Sequence, residues 1–110
     1  MKIAPGASLI KTSLVKALLW DANLQEANLD SADLEGATFD GSNFQGCSLQ
    51  GGNLRRITAR NANFQDANLA DADFQGANLF DANLSHADIQ GANFQKVEYI
   101  NVQQIKAAQN

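Results

Sequence analysis

The feature that most constrains this chain is a period of five residues. From Ala22 the sequence reads ANLQE, ANLDS, ADLEG, ATFDG, SNFQG, CSLQG, GNLRR, ITARN, ANFQD, ANLAD, ADFQG, ANLFD, ANLSH, ADIQG, ANFQK, without a slip through Lys96. The register extends backwards as ASLIK from Ala7, TSLVK from Thr12 and ALLWD from Ala17, and forwards as VEYIN, Val97 to Asn101. Residues 7–101 therefore hold 95 residues, or 19 units. In most units the third residue is bulky and apolar, the first is small, and the second is usually Asn or Asp. The last two are mostly polar or Gly.

No ordinary element accommodates that period. On an α-helix a step of five residues turns about 140°, which scatters the Leu and Phe residues over every face. On a flat strand an odd step sends successive Leu residues to opposite sides. One side chain per unit keeps pointing inward only if the chain turns a corner once per unit and coils around an axis. Stacked coils then pair as parallel strands or bridges about 4.8 Å apart. The period alone leaves the number of sides per coil open.

The run of Ala-Asn/Asp-Leu/Phe-x-x units resembles the pentapeptide repeat family, and the likeness covers nearly the whole chain. A five-position motif is weak once and highly specific in unbroken register. The resemblance implies an all-β solenoid, a right-handed quadrilateral parallel β-helix with four units per coil. That gives about five coils over residues 7–101, between an N-terminal segment at 1–6 and a short C-terminal capping helix at 102–110. It also implies a non-catalytic structural or protein-interaction scaffold, of a kind common in cyanobacteria, as the default role.

With four units per coil, residues 20 apart stack. One inward column is then Leu9, Leu29, Leu49, Leu69 and Ile89, and the next Leu14, Leu34, Leu54, Phe74 and Phe94. The third is Leu19, Phe39, Ala59, Leu79 and Tyr99, and the fourth Leu24, Phe44, Phe64 and Leu84. The first position also points inward, where only a small group fits beside Leu or Phe. In the ITARN unit the sizes are exchanged, with Ile57 at the small position and Ala59 at the central one. Cys47 reads as a buried Ala-sized hydrophobe. Asn23, Asn43, Asn63 and Asn83 form a ladder able to bond to one another and to the corner backbone. Gly36, Gly41, Gly46 and Gly51 fall at the fifth position, where the corner calls for a positive φ.

The ends need covering, because a solenoid terminates in unpaired edges. Asn101 followed by Gln104 reads as a capping box that starts a helix running to about Ala108, shorter than the terminal helices of similar proteins. Ser8 to Trp20 is either a first coil or a capping helix, and its agreement with the register favours the coil.

Composition narrows the function. A net charge of −4 and a pI near 4.6 argue against binding nucleic acid, which needs a basic surface. One Cys and one His can form neither an intramolecular disulfide nor a closed zinc site, so no metal is expected and the chain fits a reducing, cytoplasmic setting. Lys11 and Lys16 interrupt the apolar stretch Ser8–Trp20, so no membrane contact is expected, and it lacks an A-x-A cleavage site; a targeting segment already removed is compatible with this. Phosphate loops and nucleophile motifs are missing, and a filled solenoid offers no cleft in which Asp66, Asp71, Asp73, Asp81 and His86 could act together. Neither enzyme activity, nor a cofactor, nor a small-molecule substrate is expected.

Two surface features remain. The outward column after the third set of central residues is Trp20, Asp40, Arg60, Phe80 and Ile100, whose large apolar members suit a protein partner, self-association or the seating of the two ends. Arg55, Arg56 and Arg60 form the one basic cluster, which suits an acidic partner or cross-coil pairs, Glu35 with Arg55 and Asp40 with Arg60. A DNA-mimicking inhibitor or protector of DNA gyrase is the alternative function that the resemblance suggests. Against it stand the short chain, its mild acidity and the three arginines.

Overall fold

The five-residue period becomes a coil of twenty. The computed structural model describes residues 5–108; Met1–Ala4, most of the segment assigned to 1–6, and Gln109 and Asn110 lie outside the described residues. Parallel bridges join the second positions of units 20 residues apart, from Ser8↔Asn28 to Asn78↔Glu98. Each coil therefore has four sides, and the whole is a parallel β-helix. Ser8, Ser13 and Leu18 all take part in bridges, so Ser8–Trp20 is a coil and not a helix.

One unit, Ala62–Asp66, shows why each position is filled as it is. Ala62 N–H donates to the Ala59 carbonyl at 3.2 Å and closes a corner. Asn63 N–H reaches back to Ser42 at 2.9 Å, while Phe64 and Asp66 N–H reach forward to Asn83 and Ser85 at 2.8 and 2.9 Å. The fourth-position N–H has no backbone partner in this scheme. It is satisfied by the Asn63 Oδ1, which accepts from Gln65 N at 3.0 Å. The Asn or Asp at position two thus supplies the one acceptor the coil lacks. The same bond recurs from Gln25 N–H to Asn23, Gln45 N–H to Asn43 and Ser85 N–H to Asn83. In this ladder the side chains serve the corner backbone.

Every fifth residue from Gly6 to Lys96 has φ between 52° and 76°. A positive φ at the third residue of each turn, and not the second, matches a type II turn. Seven of these corners are Gly, but Lys11, Lys16, Glu26, Arg56 and Lys96 hold the same conformation at a cost of about 1 kcal/mol or more each. The bonds on both sides of each corner enforce it.

Inward residues from Leu19 to Ala87 are almost wholly buried, with Leu29, Leu34, Leu49, Leu54 and Leu69 at 0% exposure. Phe44 and Phe64 stack with ring centroids 4.7 Å apart, as do Phe74 and Phe94 at 5.2 Å; Phe39 and Phe64 add edge contacts to Phe44 and Phe74. The exchanged unit fits: Ile57 and Ala59 are both buried, and Thr58 stays in register between Thr38 and Asn78.

The last unit departs from the expected column. Tyr99 does not point inward. It is 65% exposed and adopts φ 58°, two residues before the corner is due. Ile100, expected outside, packs against the core instead. A phenol turned inward needs a partner for its hydroxyl, which the Leu79 and Phe94 side chains of the neighbouring inward positions do not offer, whereas Ile needs none. The early turn leads into a single helix, α1 (Val102–Ala107). Asn101 and Gln104 form the reciprocal capping box at its start. Gln104 Nε2 also donates to the Leu79 and Ala82 carbonyls, and His86 N–H donates to Ala107. The Ala82 carbonyl and the His86 N–H are coil groups with no following coil to pair with, while the Leu79 carbonyl also accepts the corner bond from Ala82 N–H at 3.0 Å.

A candidate docking face

Along the third side of the coil, units start at Ala17, Ala37, Ile57, Ala77 and Val97. Position two on this side is Leu18, Thr38, Thr58, Asn78 and Glu98, so the Asn ladder is interrupted. Asn78 still accepts from the Phe80 N–H at 3.1 Å, but beside Thr58 the fourth-position N–H must be satisfied differently, and Asp40 does this for Arg60. Its Oδ1 accepts from Arg60 N at 2.9 Å, while its Oδ2 accepts from Arg60 Nε and Nη2 at 3.0 and 2.8 Å. Burial by itself would raise the Asp40 pKa. The guanidinium and backbone hydrogen bonds from Arg60, its positive charge and a bond from Thr58 outweigh that and hold the carboxyl below its ordinary value.

Above and below this pair stand exposed aromatic rings. Trp20 is 58% and Phe80 47% exposed, and Phe80 packs edge-on to Tyr99 with centroids 6.0 Å apart. Trp20, Asp40, Arg60 and Phe80, with Asp21, Gly41 and Asn61 at the adjoining corner, line one open groove. Of the expected outward column only Ile100 is missing, and Tyr99 takes its place beside Phe80.

The remaining arginines lie off this face. Arg55 is on the neighbouring side and Arg56 at the corner between. Glu35 pairs with Arg56 at 2.9 Å and not with Arg55, whose Nε lies 3.9 Å from Asp73. The exchange follows from the corner: the positive φ of Arg56 swings its side chain across the coils, while Arg55 stays in the column of Glu35 with its Nε buried and unbonded. Asp66, Asp71, Asp81 and His86 all occupy corners and Asp73 sits on a side. Among the described residues no three His, Cys, Asp or Glu side chains gather as a metal site. Cys47 is buried, and burial, with the Asp30 charge adding, pushes its thiol up to about 12.

Sequence reasoning missed Ile10, Val15 and Leu18, which are exposed on the first coil. The signal was legible. Ile10 and Val15 put apolar groups at the fourth position and Leu18 at the second, which elsewhere are mostly polar.

A four-sided coil with a filled core and a repeating outer face defines a class of protein, the β-helical solenoids. The family model of pentapeptide repeats matches eight copies across residues 6–41, 22–58, 39–76 and 60–95, and the chain belongs to that family, with its right-handed β-helix fold. Among solved structures it is similar to a pentapeptide repeat protein of the Arabidopsis thaliana thylakoid lumen, at 21% identity and TM-score 0.69 over 94% of this chain and 71% of that one. HetL of the cyanobacterium Nostoc, involved in heterocyst differentiation regulation, is 27% identical with TM-score 0.56 over 88% of this chain and 52% of that one. A pentapeptide repeat protein of the cyanobacterium Cyanothece 51142 is 32% identical with TM-score 0.50 over 78% and 55%. The chain thus spans about half the length of the two cyanobacterial proteins. No curated protein matches it. No helix among the described residues is long and apolar enough to cross a membrane.

Proposed function

We propose that this chain is a non-catalytic structural or protein-interaction module that engages a protein through its third side. The observation carrying this reading is the combination of Trp20 and Phe80, exposed on a rigid coil, with the Asp40–Arg60 pair fixed between them. Exposed aromatic rings beside a pre-oriented ion pair are the chemistry of protein interfaces. The inward side chains are committed to the core, which leaves the surface for function. A cytoplasmic setting belongs to the same proposal and rests on the single unpaired Cys47 alone.

The test is affinity capture from the native host with the wild type and with Trp20→Ser plus Phe80→Ser. Proteins retained by the first and lost by the second support the reading, given an unchanged thermal melt. Identical sets on both would overturn it. The gyrase alternative separates cleanly: supercoiling by gyrase unchanged at micromolar protein removes it.

A further inference from the structure

The third side carries a pattern that is its own complement. At successive coils, about 4.8 Å apart, its outward residues are Trp20, Asp40, Arg60 and Phe80: apolar, anionic, cationic, apolar. Reversing the order end for end returns the same pattern with the charges exchanged. We infer that the partner this face fits is a second copy of the chain, packed side by side and antiparallel, on a two-fold axis crossing the face between Asp40 and Arg60. The inference deepens the docking reading above and rests on it.

In that seating each Asp40 lies opposite Arg60 of the other copy, and each Trp20 opposite the Phe80–Tyr99 pair. The contact is isologous, so one patch serves both copies. The two-fold parallel seating is worse. It sets Asp40 on Asp40 and Arg60 on Arg60, and like charges facing across an interface select against it. The ion pair within each copy is already formed, with Asp40 Oδ2 2.8 Å from Arg60 Nη2. The two pairs meet as a ring of alternating charge, with little side-chain freedom left to lose.

The borders agree in part. At one corner the column is Lys16, Gly36, Arg56, Gly76, so reversal sets each long basic side chain opposite a glycine. At the other corner Gly41 meets Asn61, and Asp21 meets Asp81, the one like-charged contact. In the middle, Thr38 and Thr58 occupy the second position, where shorter side chains let the two sides approach.

Sedimentation equilibrium of the whole chain tests the inference. A species of twice 11.8 kDa is expected. Arg60→Asp, and separately Asp40→Arg, should each raise the dissociation constant about tenfold or more, since each opposes like charges across the axis. An equimolar mixture of the two variants should recover the dimer, because an all-anionic centre then meets an all-cationic one. Thermal melts establish that each variant is folded; if Asp40→Arg is not, Trp20→Ser plus Phe80→Ser replaces it and should dissociate the dimer similarly. A chain that stays monomeric up to about 1 mM overturns the inference, and one that still captures a host protein through Trp20 and Phe80 leaves the docking reading standing. A dimer indifferent to Arg60→Asp overturns the seating as well.

Discussion

The units Ile57–Asn61 and Val97–Asn101 depart from the repeat in opposite ways. The first violates the size pattern, with its bulky residue at the small position, yet it stays in the coil with both Ile57 and Ala59 buried. The second puts a large side chain where the pattern wants one, yet leaves the coil at Tyr99. Neighbours and side chains together make the difference. Thr58 bridges to Thr38 on one side and Asn78 on the other, so the backbone of its unit is fixed and the side chains adapt by exchanging volume. Glu98 bridges to Asn78 alone among the described residues, but Asn83, Asp88 and Asn93 likewise bridge only to the coil before them, and their units keep the repeat. One flanking coil therefore permits the departure without causing it. In the last unit the side chains decide, and Tyr99 goes outward while Ile100 goes in.

The largest effect that tests this contrast is a charge placed at the same repeat position in each region. Leu54→Asp puts an unpaired carboxylate into the core of a doubly flanked unit and should cost more than about 4 kcal/mol, enough to prevent folding. Tyr99→Asp, at the nominally equivalent central position, should cost less than about 1 kcal/mol. Thermal unfolding followed by far-ultraviolet circular dichroism reads both. A cooperative melt near wild type for Leu54→Asp would contradict the core assignment.

Next in size is the exchanged unit itself. Ile57→Ala leaves Ala at both inward positions and should cost about 2–4 kcal/mol through the cavity it opens. Adding Ala59→Leu restores the ordinary small-then-large order and should recover most of the loss, so the two changes are strongly non-additive. If the double variant is no more stable than Ile57→Ala, the volume exchange is not what holds this unit.

The repeat made a coil legible because a five-residue period requires a corner in every unit, while the four sides, and with them the columns of Leu and Phe, came from the resemblance to the pentapeptide repeat family. The ends were not legible to the same degree. Tyr99 and Ile100 are both bulky and adjacent, and the polar hydroxyl of one decides which turns inward once a single coil holds the unit. The ion pairs were read by column, which succeeds for Asp40 with Arg60, both at the fourth position. It fails for Glu35, because Arg56 at the corner has a positive φ that reaches across columns. Trp20 and Phe80 were visible as apolar residues at a polar position. Their relation to the fixed charges between them required the hydrogen bonds of Asp40 to Arg60.

A smaller effect separates two corners of the same unit type. At Gly41, φ 71°, an added Cβ would lie 2.2 Å from Asp21 Oδ1, while at Gly46, φ 68°, the nearest atom is Glu26 Cγ at 3.4 Å. Both glycines become strained as Ala, at about 1 kcal/mol from the backbone. Gly41→Ala must also displace the Asp21 carboxylate, so its melting temperature should fall further than that of Gly46→Ala. Equal losses would show that the carboxylate swings aside freely. In that case the corner conformation alone sets the preference for glycine.

The smallest expected effect concerns the Asp40–Arg60 pair, on the doubly flanked part of the third side. The folded-state pKa of Asp40 lies below its ordinary value of 3.8. A carboxylate depressed on folding contributes stability above its unfolded pKa and loses it as pH falls through the folded one. The pair is exposed on the Arg60 side, at 56% for that side chain, so solvent screens much of the gain. Asp40→Asn should therefore melt slightly below wild type at pH 6, and the gap should close below about pH 4 as the wild-type carboxyl protonates. Salt should narrow the same gap at pH 6. A difference between the two melts that is constant from pH 6 to pH 2 would mean that the shape of Asp40, as acceptor for the Arg60 N–H, matters and its charge does not.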